Sequence, residues 1–443
     1  MKIAKRIASL LLCVLLCFSL CSCELLKEVV KLLPSPQYGM VEDTSLGYTE
    51  IDKLEFTYSE YYTPHKCRES YDLLENDKMR ELYDMIYENV HFVYPQAEES
   101  SEYKTKQVIL EDCALSEAQV RLTIKALADD NPQIFWTSST FGFLIHEEYE
   151  YTAVQLYSRY SPDELIKCVS DFLYNVNGFY YSLEDSLSEY ELEKKIHDFI
   201  IDNCEYDESI NLDEEVPTER SDVFESYGAL VNKVAVCEGY AKAFQLLCHG
   251  VGIECMNVIG VSEDQLHKWN TVQLDGDWYY VDTTWDDTKD KALRYDYFNI
   301  TEKQLLSDHE FSQLASEMSD EEICGEGEEN ALTSNFYIPD CTERTYNYYI
   351  RESAHLTDYQ ADELKKSLLN SAKKKEKYFH FYVDTDDSYS DTVDKLFDSY
   401  PQYYFEYIDY VNYNLPDYSI DTENVTFYEK EKLQVVTVLM EYI

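Results

Sequence analysis

The most informative segment of the sequence lies between residues 227 and 286 and reads YGALVNKVAVCEGYAKAFQLLCHGVGIECMNVIGVSEDQLHKWNTVQLDGDWYYVDTTWD. One apolar face recurs at the i, i+4, i+7 and i+11 spacing of a helix: Tyr240, Phe244, Leu247 and Val251. Gly250 or Gly252 can supply the C-terminal cap. The spacing therefore predicts an amphipathic helix that begins at about Cys237.

Cys237 lies at the N-terminus of this predicted helix. Unpaired backbone N–H groups and the helix dipole favour a negative charge there. Because the thiolate is the nucleophilic form of cysteine, the position suits a catalytic thiol. Gly239 leaves room for another chain or a substrate to approach closely. Taken alone, Cys237 would more often be a buried core residue.

The second half of the stretch predicts a β-hairpin. Residues 266–274 alternate as a strand that carries His267, and the Asp-Gly pair at 275–276 is a strong hairpin turn. Counting outward from the turn, His267 pairs near residues 283 or 284, within diagonal reach of Asp282. Asp282 can then accept a hydrogen bond from one imidazole nitrogen while the other nitrogen faces the thiol.

These segments resemble the transglutaminase-like superfamily. The matching segments are CEGYA at 237–241, GI at 252–253, HKWN at 267–270 and WYYVDTTW at 278–285. The resemblance, over about residues 190–305, implies a papain-like α+β core in which the cysteine helix packs on an antiparallel sheet that carries the histidine and the aspartate. It implies that Cys237 is the nucleophile, His267 the base and Asp282 the orienting carboxylate.

The same resemblance suggests further site residues. Candidates for the wall of a substrate site are Gly239, Tyr240, Trp269 and Asn270. The family's oxyanion donor lies upstream and is not assigned to a residue here. The backbone N–H of Cys237 is one plausible contributor.

Members of this superfamily include cross-linking acyltransferases, peptidases and inactive relatives. The resemblance therefore implies a thiol-dependent enzyme that acts on amide bonds of peptides or proteins through a thioester. Water as the second reactant gives a peptidase or amidase, and an amine gives a transglutaminase-type acyltransferase. The alternative from another class is a non-catalytic cell-surface binding module that retains the fold.

The charge of the chain limits its partners. The formal net charge is −50 over 443 residues, which argues against nucleic acid because phosphate binding needs clustered Lys and Arg. Residues 202–225 carry ten acidic side chains and one basic side chain, Arg220. They predict an exposed loop that favours cationic or Lys-bearing substrates. No CxxC or HExxH motif occurs, so neither a metal nor an organic cofactor is predicted.

The N-terminus has the features of a targeting segment. Three basic residues precede an apolar run over 7–20 that is short for a membrane span. The following Leu-Cys-Ser-Cys at 20–23 resembles a bacterial lipobox in which Cys23 is lipidated. This predicts an exported lipoprotein on the outer face of the cytoplasmic membrane, with a cleaved signal peptide and secretion as the alternative. The flanking regions resemble exported lipoproteins of anaerobic Gram-positive bacteria of the clostridial type.

Patterning along the chain predicts a division into six segments. These are a signal peptide with lipobox (1–23), a tether (24–54), a mostly helical accessory domain (55–187), the catalytic domain (188–310), a linker (311–335) and a small α+β domain (336–443). In the accessory domain, Ser116 and Ser161 predict helix starts, and 134–136 and 149–157 predict strands. The C-terminal domain is predicted to hold helices at 358–375 and 393–397 and strands at 378–383, 405–411 and 433–442.

The remaining cysteines and histidines are interpreted as structural. Cys204, Cys248 and Cys255 lack a partner motif, which favours core packing. His249 and His309 are predicted to be structural or solvent-facing.

Overall fold

The computed structural model describes residues 47–443 apart from 55, 57–67, 96–102, 211–217, 290–292 and 326–329. The predicted signal peptide, the lipidation site Cys23 and most of the predicted tether lie outside the described residues. No helix within the described part of the chain is both long enough and apolar enough to cross a bilayer.

Within the described residues, the N-terminal region combines four helices with a six-stranded sheet. The helices are α1 (Glu69–Asp72), α2 (Asp77–Asn89), α3 (Glu117–Asp130) and α4 (Pro162–Ser182). The strands are β1 (Thr49–Glu50), β2 (Phe92–Tyr94), β3 (Tyr103–Thr105), β4 (Val108–Leu110), β5 (Thr137–His146) and β6 (Tyr151–Ser158). Their order is β1-β2-β3-β6-β4, with β5 paired to β6.

Local signals in this region predicted some elements and missed others. Ser116 and Ser161 each form the predicted capping box at the start of α3 and α4, and β6 confirms the strand predicted at 149–157. The strand predicted at 134–136 is wrong, because these residues form turns whose apolar side chains are buried in the core. Strands of two or three residues give almost no alternation, so most of the sheet was not predicted.

The middle region holds an antiparallel sheet beside a long helix. Its helices are α5 (Glu189–Asn203), α6 (Cys237–Gly250), α7 (Thr283–Asp286) and α8 (Glu302–Leu305). Its strands are β7 (Glu205–Tyr206), β8 (Val234–Ala235), β9 (Cys255–Ser262), β10 (Gln265–Leu274), β11 (Asp277–Val281), β12 (Phe298–Ile300) and β13 (His309–Phe311). The five-stranded sheet has the order β12-β11-β10-β9-β13, and α6 packs against β9 and β10.

The predicted helix and hairpin are both confirmed. α6 begins at Cys237 and buries the predicted apolar face, and Gly252 adopts a positive φ of 88° just after it. β10 and β11 pair across the turn at 275–276, with Leu274 opposite Asp277. The two elements therefore bring the helix N-terminus and the outer end of the hairpin to one place.

The C-terminal region forms a smaller α+β unit. The helix α9 (Asp320–Ile323) precedes this unit and packs on α3 of the N-terminal region. The helices of the unit itself are α10 (Tyr348–Glu352), α11 (Asp362–Lys373), α12 (Tyr389–Val393) and α13 (Tyr403–Asn414). Its strands are β14 (Ala354–Leu356), β15 (Tyr378–Val383), β16 (Thr426–Lys430) and β17 (Val435–Leu439), in the order β14-β15-β17-β16. The predicted segment boundaries stay predictions.

Most of the elements predicted for this unit are confirmed. The strand at 378–383 and the helix within 358–375 are present, while the strand predicted at 405–411 is wrong because this stretch belongs to α13. Its buried residues recur at the three- and four-residue spacing of a helix: Tyr404, Tyr407, Ile408 and Val411. Aromatic residues favour strands in general, but here packing on the helix face decides.

The C-terminal unit shares an apolar cluster with the middle sheet. Trp269 and Tyr280 of the middle region pack in one cluster with Leu433 and Val435. Lys430 Nζ also lies 2.5 Å from Asp296 Oδ1 across the two regions. Contacts from the C-terminal unit therefore reach the sheet that carries His267.

Candidate active site

Cys237 is the first residue of α6 and is 6% exposed. The preceding Val236 is extended and has no polar side chain to cap the helix. Its own N–H donates to Val223 O at 3.0 Å. The N–H groups of the first turn thus remain available to a negative charge beside the sulfur.

His267 links the thiol to a carboxylate. Its Nε2 lies 2.6 Å from Asp282 Oδ2, and the Cys237 side chain lies beside the ring. Burial disfavours the charged ring, but the Asp282 carboxylate and its hydrogen bond outweigh burial, and Cys237 adds to them. Together they raise the pKa of His267 to about 10. The geometry thus favours an imidazolium between two groups that can be negative.

Asp282 has two roles at once. Its Oδ1 accepts hydrogen bonds from the backbone N–H groups of Thr284 at 2.9 Å and Trp285 at 3.0 Å, which caps α7, while Oδ2 faces His267. Burial opposes the charged carboxylate, but the charge and hydrogen bond of His267 hold the pKa of Asp282 well below its ordinary value. Asp282 therefore caps the turn into α7 and orients His267 at the same time.

The predicted register is met at the end of the hairpin. Asn270 pairs with Val281, so His267 lies beyond the last paired residue of β11, where the chain turns into α7. Asp282 reaches His267 diagonally because it stands at this strand-to-helix junction. The structure thus brings Cys237, His267 and Asp282 together as the spacing predicted.

The four predicted wall residues are all buried. A Cβ on Gly239 would lie 2.5 Å from Val223 O, so the close approach comes from the chain's own backbone and not from a substrate. Tyr240 donates to Asp287 Oδ2 at 2.5 Å. Trp269 stacks on His267, and Asn270 Nδ2 donates to Ala241 O at 3.1 Å. These residues therefore pack beneath the site, and none of them forms an exposed wall that a substrate could contact.

Sequence reasoning missed two exposed apolar side chains near the site. Tyr206 on β7 is 40% exposed and Leu266 on β10 is 48% exposed. Burial chiefly raises the pKa of Tyr206 to about 12, and the charge of Asp282 adds to this shift. β7 pairs in parallel with β8, just before Cys237. Strands of two residues carry no sequence signal that could have predicted this pairing.

Comparison with known proteins agrees with this geometry. Residues 181–283 match the family model of the transglutaminase-like superfamily.

The chain contains a transglutaminase-like domain.

Two curated relatives and one solved structure resemble parts of the chain. Kyphoscoliosis peptidase of Mus musculus is 29% identical over 115 residues, which cover 23% of this chain and 17% of the relative. Kyphoscoliosis peptidase of Homo sapiens is 38% identical over 61 residues, or 11% of this chain and 9% of the relative. The crystal structure of a TGase aligns at 11% identity and a TM-score of 0.25 over 49% of this chain and 59% of that chain.

The transglutaminase-like domain has the predicted fold class, an α+β papain-like core with antiparallel sheets. At the level of the family, the similarity is to thiol-dependent enzymes that act on amide bonds. The matched residues include Cys237, His267 and Asp282, which the geometry above joins.

A second histidine contacts the site of the transglutaminase-like domain. His309 Nε2 lies 3.2 Å from Asp282 Oδ2, and His309 is buried, so its solvent-facing interpretation is wrong. One nitrogen each of His267 and His309 and one carboxylate oxygen of Asp282 lie within 4.8 Å of one another. Among the described residues, this is the only group of three side chains whose spacing could suit a metal ion. Both rings already point at the same carboxylate oxygen, which identifies the group as a hydrogen-bonded set. His249, by contrast, lies outside this group. Its Nε2 is 2.8 Å from Cys255 O.

The acidic stretch 202–225 is partly neutralised in the described residues. Asp207 pairs with Arg220, and Asp202 Oδ1 lies 2.7 Å from Arg294 Nη1. The segment 211–217 lies outside the described residues. The charge available to a cationic substrate is therefore smaller than the count of acidic residues suggests.

Proposed function

We propose that this chain is a thiol-dependent enzyme that acts on amide bonds of peptides or proteins outside the cytoplasm. In this proposal Cys237 is the nucleophile, His267 the acid–base group and Asp282 the orienting carboxylate. One observation carries it: a single imidazole ring contacts the Asp282 carboxylate at 2.6 Å and also the Cys237 side chain.

The chemistry follows from the two sides of the ring. The sulfur of Cys237 attacks the carbonyl carbon of the amide, and the collapse of the tetrahedral intermediate breaks the C–N bond. The proton of His267 goes to the leaving amine. A water molecule or a primary amine then attacks the thioester while His267 accepts its proton. The products are the free acid or a new amide, and the thiol is restored.

The start of α6 supports a role in stabilising the tetrahedral intermediate. The Cys237 N–H lies in the first turn, where no intrahelical acceptor is available, and the helix dipole adds a partial positive charge. A backbone donor so placed is preorganised for an oxyanion. The Cys237 N–H is therefore one proposed donor to the oxyanion, and the upstream donor is not assigned.

Hydrolysis is the favoured direction. Water is the more abundant second reactant, and hydrolysis is the default unless the site excludes it. The mouse and human relatives are named peptidases, although the matched segments span only 17% and 9% of them. A cationic or Lys-bearing substrate remains part of the proposal because of the acidic stretch 202–225.

Substrate profiling tests this proposal. The full chain is incubated with a peptide library with and without a biotinylated primary amine, and products are read by mass spectrometry. Wild type is expected to give cleaved peptides or amine adducts, and Cys237→Ser none. Cys324→Ser, which changes the half-buried cysteine directly after α9, is the matched control and should retain turnover.

A second measurement separates this proposal from a binding module. Iodoacetamide should alkylate Cys237 in wild type and should alkylate it more slowly in His267→Gln, because a neighbouring imidazole activates a thiol. A folded wild-type chain that neither alkylates at Cys237 nor turns over any peptide would contradict the enzyme and leave the binding module. Equal turnover by Cys237→Ser would remove the proposed nucleophile.

We also propose that the N-terminal segment exports the chain and that Cys23 carries the lipid. The support is the basic residues and the apolar run before the Leu-Cys-Ser-Cys segment at 20–23. Growth with a clickable palmitate analogue should label wild type but not Cys23→Ser. Export without label would instead indicate a secreted protein with a cleaved signal peptide.

A further inference from the structure

The Asp282 carboxylate is shared between two histidines. Its Oδ2 lies 2.6 Å from His267 Nε2 and 3.2 Å from His309 Nε2. Its Oδ1 is held separately by the backbone N–H groups of Thr284 and Trp285. The backbone thus fixes the orientation of the carboxylate, and the two rings share the remaining oxygen.

Both nitrogens of His309 face carboxylates. Nε2 faces Asp282, and Nδ1 lies 2.7 Å from Asp308 Oδ1. An ionised carboxylate only accepts hydrogen bonds, so a ring between two of them satisfies both contacts only when both nitrogens carry protons. Burial opposes this charge, but the hydrogen bonds to Asp282 and Asp308 outweigh it and raise the pKa of His309. The ring is therefore positively charged beside His267.

The His309 ring is fixed in place by packing. Its side chain is 0% exposed, and its ring centroid lies 5.1 Å from Trp269, 5.0 Å from Trp285 and 5.6 Å from Tyr297. Its strand β13 pairs with β9, with His309 opposite Ser262. A charged ring held this rigidly acts as a permanent positive neighbour of the Asp282–His267 pair.

We propose that His309 is a positioning residue that shares the Asp282 carboxylate with His267 and offsets part of its negative charge. His267 thereby holds its proton less firmly than it would beside an unshared carboxylate. The proposal rests on the proposed acid–base role of His267, because that role requires a proton that can leave. The two ring centroids are 5.5 Å apart, close enough for direct repulsion.

The network extends to the C-terminal unit. Asp308 Oδ2 lies 2.8 Å from Lys432 Nζ, and it also accepts from Tyr297 at 2.9 Å. Lys432 lies in the turn between β16 and β17. Because Lys432 neutralises Asp308, it weakens the hold of Asp308 on the His309 proton. The C-terminal unit therefore contributes one charge to the surroundings of the site.

The titratable groups that face His309 are thus known from each side within the described residues. They are Asp282, His267, Asp308 and the Tyr297 phenol, with Lys432 behind Asp308. The nearby indoles of Trp269 and Trp285 carry no charge. Loss of His309 leaves Asp282 with one imidazole partner and removes one positive charge next to His267.

Histidine titration by NMR tests the inference. The full chain is labelled with histidine carrying carbon-13 at Cε1, and the His267 signal is identified by its loss in His267→Gln. In His309→Gln, which retains one amide donor but no charge, the titration midpoint of His267 should rise by about one pH unit. His249→Gln, which removes another buried histidine, is the matched control and should leave the midpoint unchanged.

A second variant keeps the test decisive if His309→Gln does not fold. Asp308→Asn combined with Lys432→Met removes the carboxylate that holds the His309 proton together with the charge that neutralises it. His309 should then titrate at lower pH, and the His267 midpoint should rise as it does in His309→Gln. An unchanged or lowered His267 midpoint in a folded variant overturns the inference. Because the midpoint is read without substrate, a shifted midpoint in a chain without amide turnover supports this inference while ending the proposed function. An unshifted midpoint in an active chain overturns this inference alone.

Discussion

Lys268 Nζ lies 2.7 Å from Glu238 Oε1, and these two residues directly follow His267 and Cys237 in the chain. The ion pair therefore joins the strand of the base to the helix of the nucleophile one residue away from each. It is a direct link between β10 and α6 at the site itself.

A second lysine extends this link. Lys242 Nζ lies 3.1 Å from Glu238 and 2.8 Å from Glu225, which precedes α6. Burial disfavours the Glu238 charge, but Lys242 and Lys268 outweigh it and hold the pKa of that carboxyl well below its ordinary value. Alternating charges thus surround the first turn of α6 and restrict its movement relative to β10.

A double-mutant cycle should measure the pair of Glu238 and Lys268. Glu238→Gln and Lys268→Met are each expected to lower the unfolding free energy, with a coupling of about 1 kcal/mol between them, because both side chains are largely removed from solvent. Urea unfolding of the two single variants and the double variant gives this value.

The exposed pair of Lys167 and Asp171 on α4 is the control for that cycle. Its coupling should be below about 0.5 kcal/mol, as for an i,i+4 pair in water. Equal coupling energies in the two cycles would show that the pair beside the site stabilises the fold no more than an exposed pair does.

Gly260→Ala should destabilise the pairing of β9 and β13. A Cβ at this position would lie 1.9 Å from Glu310 O and 2.5 Å from the Trp269 ring, so the backbone of β13 must move. We expect a loss of about 1–3 kcal/mol in unfolding free energy. Gly178→Ala is the control: it lies in α4 with open space around it and should stabilise by about 0.5–1 kcal/mol. Stability changes of the same sign in both variants would contradict the contact.

A second buried histidine–aspartate pair supports the turn after Asp282. His197 Nε2 lies 3.0 Å from Asp286 Oδ2, with both side chains 0% exposed. Burial raises the pKa of Asp286 to about 7, although the His197 hydrogen bond opposes this. His197→Ala should cost about 3–5 kcal/mol at about pH 8, where the carboxylate loses its partner.

A second variant checks that explanation. His197→Phe keeps a packed ring but removes its hydrogen bonds, so it should cost nearly as much as His197→Ala if the lost pairing causes the loss. Urea unfolding at about pH 8 measures both variants, and His355→Ala at an exposed histidine should cost little. A His197→Phe variant as stable as wild type would indicate lost packing in place of lost pairing.

The pH dependence of stability should also report the proton on His267. Its folded-state pKa of about 10 lies above the ordinary value of 6.5, despite burial, because of Asp282 and Cys237. A raised pKa contributes stability that is fully present below the unfolded value and is lost as pH rises through the folded value. The advantage of wild type over His267→Gln should therefore be largest below about pH 6.5 and fall towards about pH 10. Urea unfolding across this range measures the difference, with His355→Gln as control. A difference that stayed constant with pH would contradict the charge on His267.

Much of the site could be predicted because its parts are local. The helix face from Tyr240, the Asp-Gly turn at 275–276 and the alternation of β10 each follow from spacings within one or two elements. Elements without such spacing were missed, as with the short strand β7 that carries Tyr206. The prediction of a strand within α13 failed for a different reason. Its aromatic residues favour a strand, and only their packing partners decide for a helix.

The sequence alone determined that a thiol begins a helix and that an imidazole and a carboxylate meet at the end of one hairpin. Backbone periodicity and a two-residue turn fix those positions whatever surrounds them. Only the tertiary structure decided that His309 shares Asp282 and that Lys432 reaches Asp308. These contacts depend on the order of strands in the sheet, which places β13 beside β9 and the C-terminal turn against both. Sheet order is set by the packing of the whole core, and no local spacing encodes it.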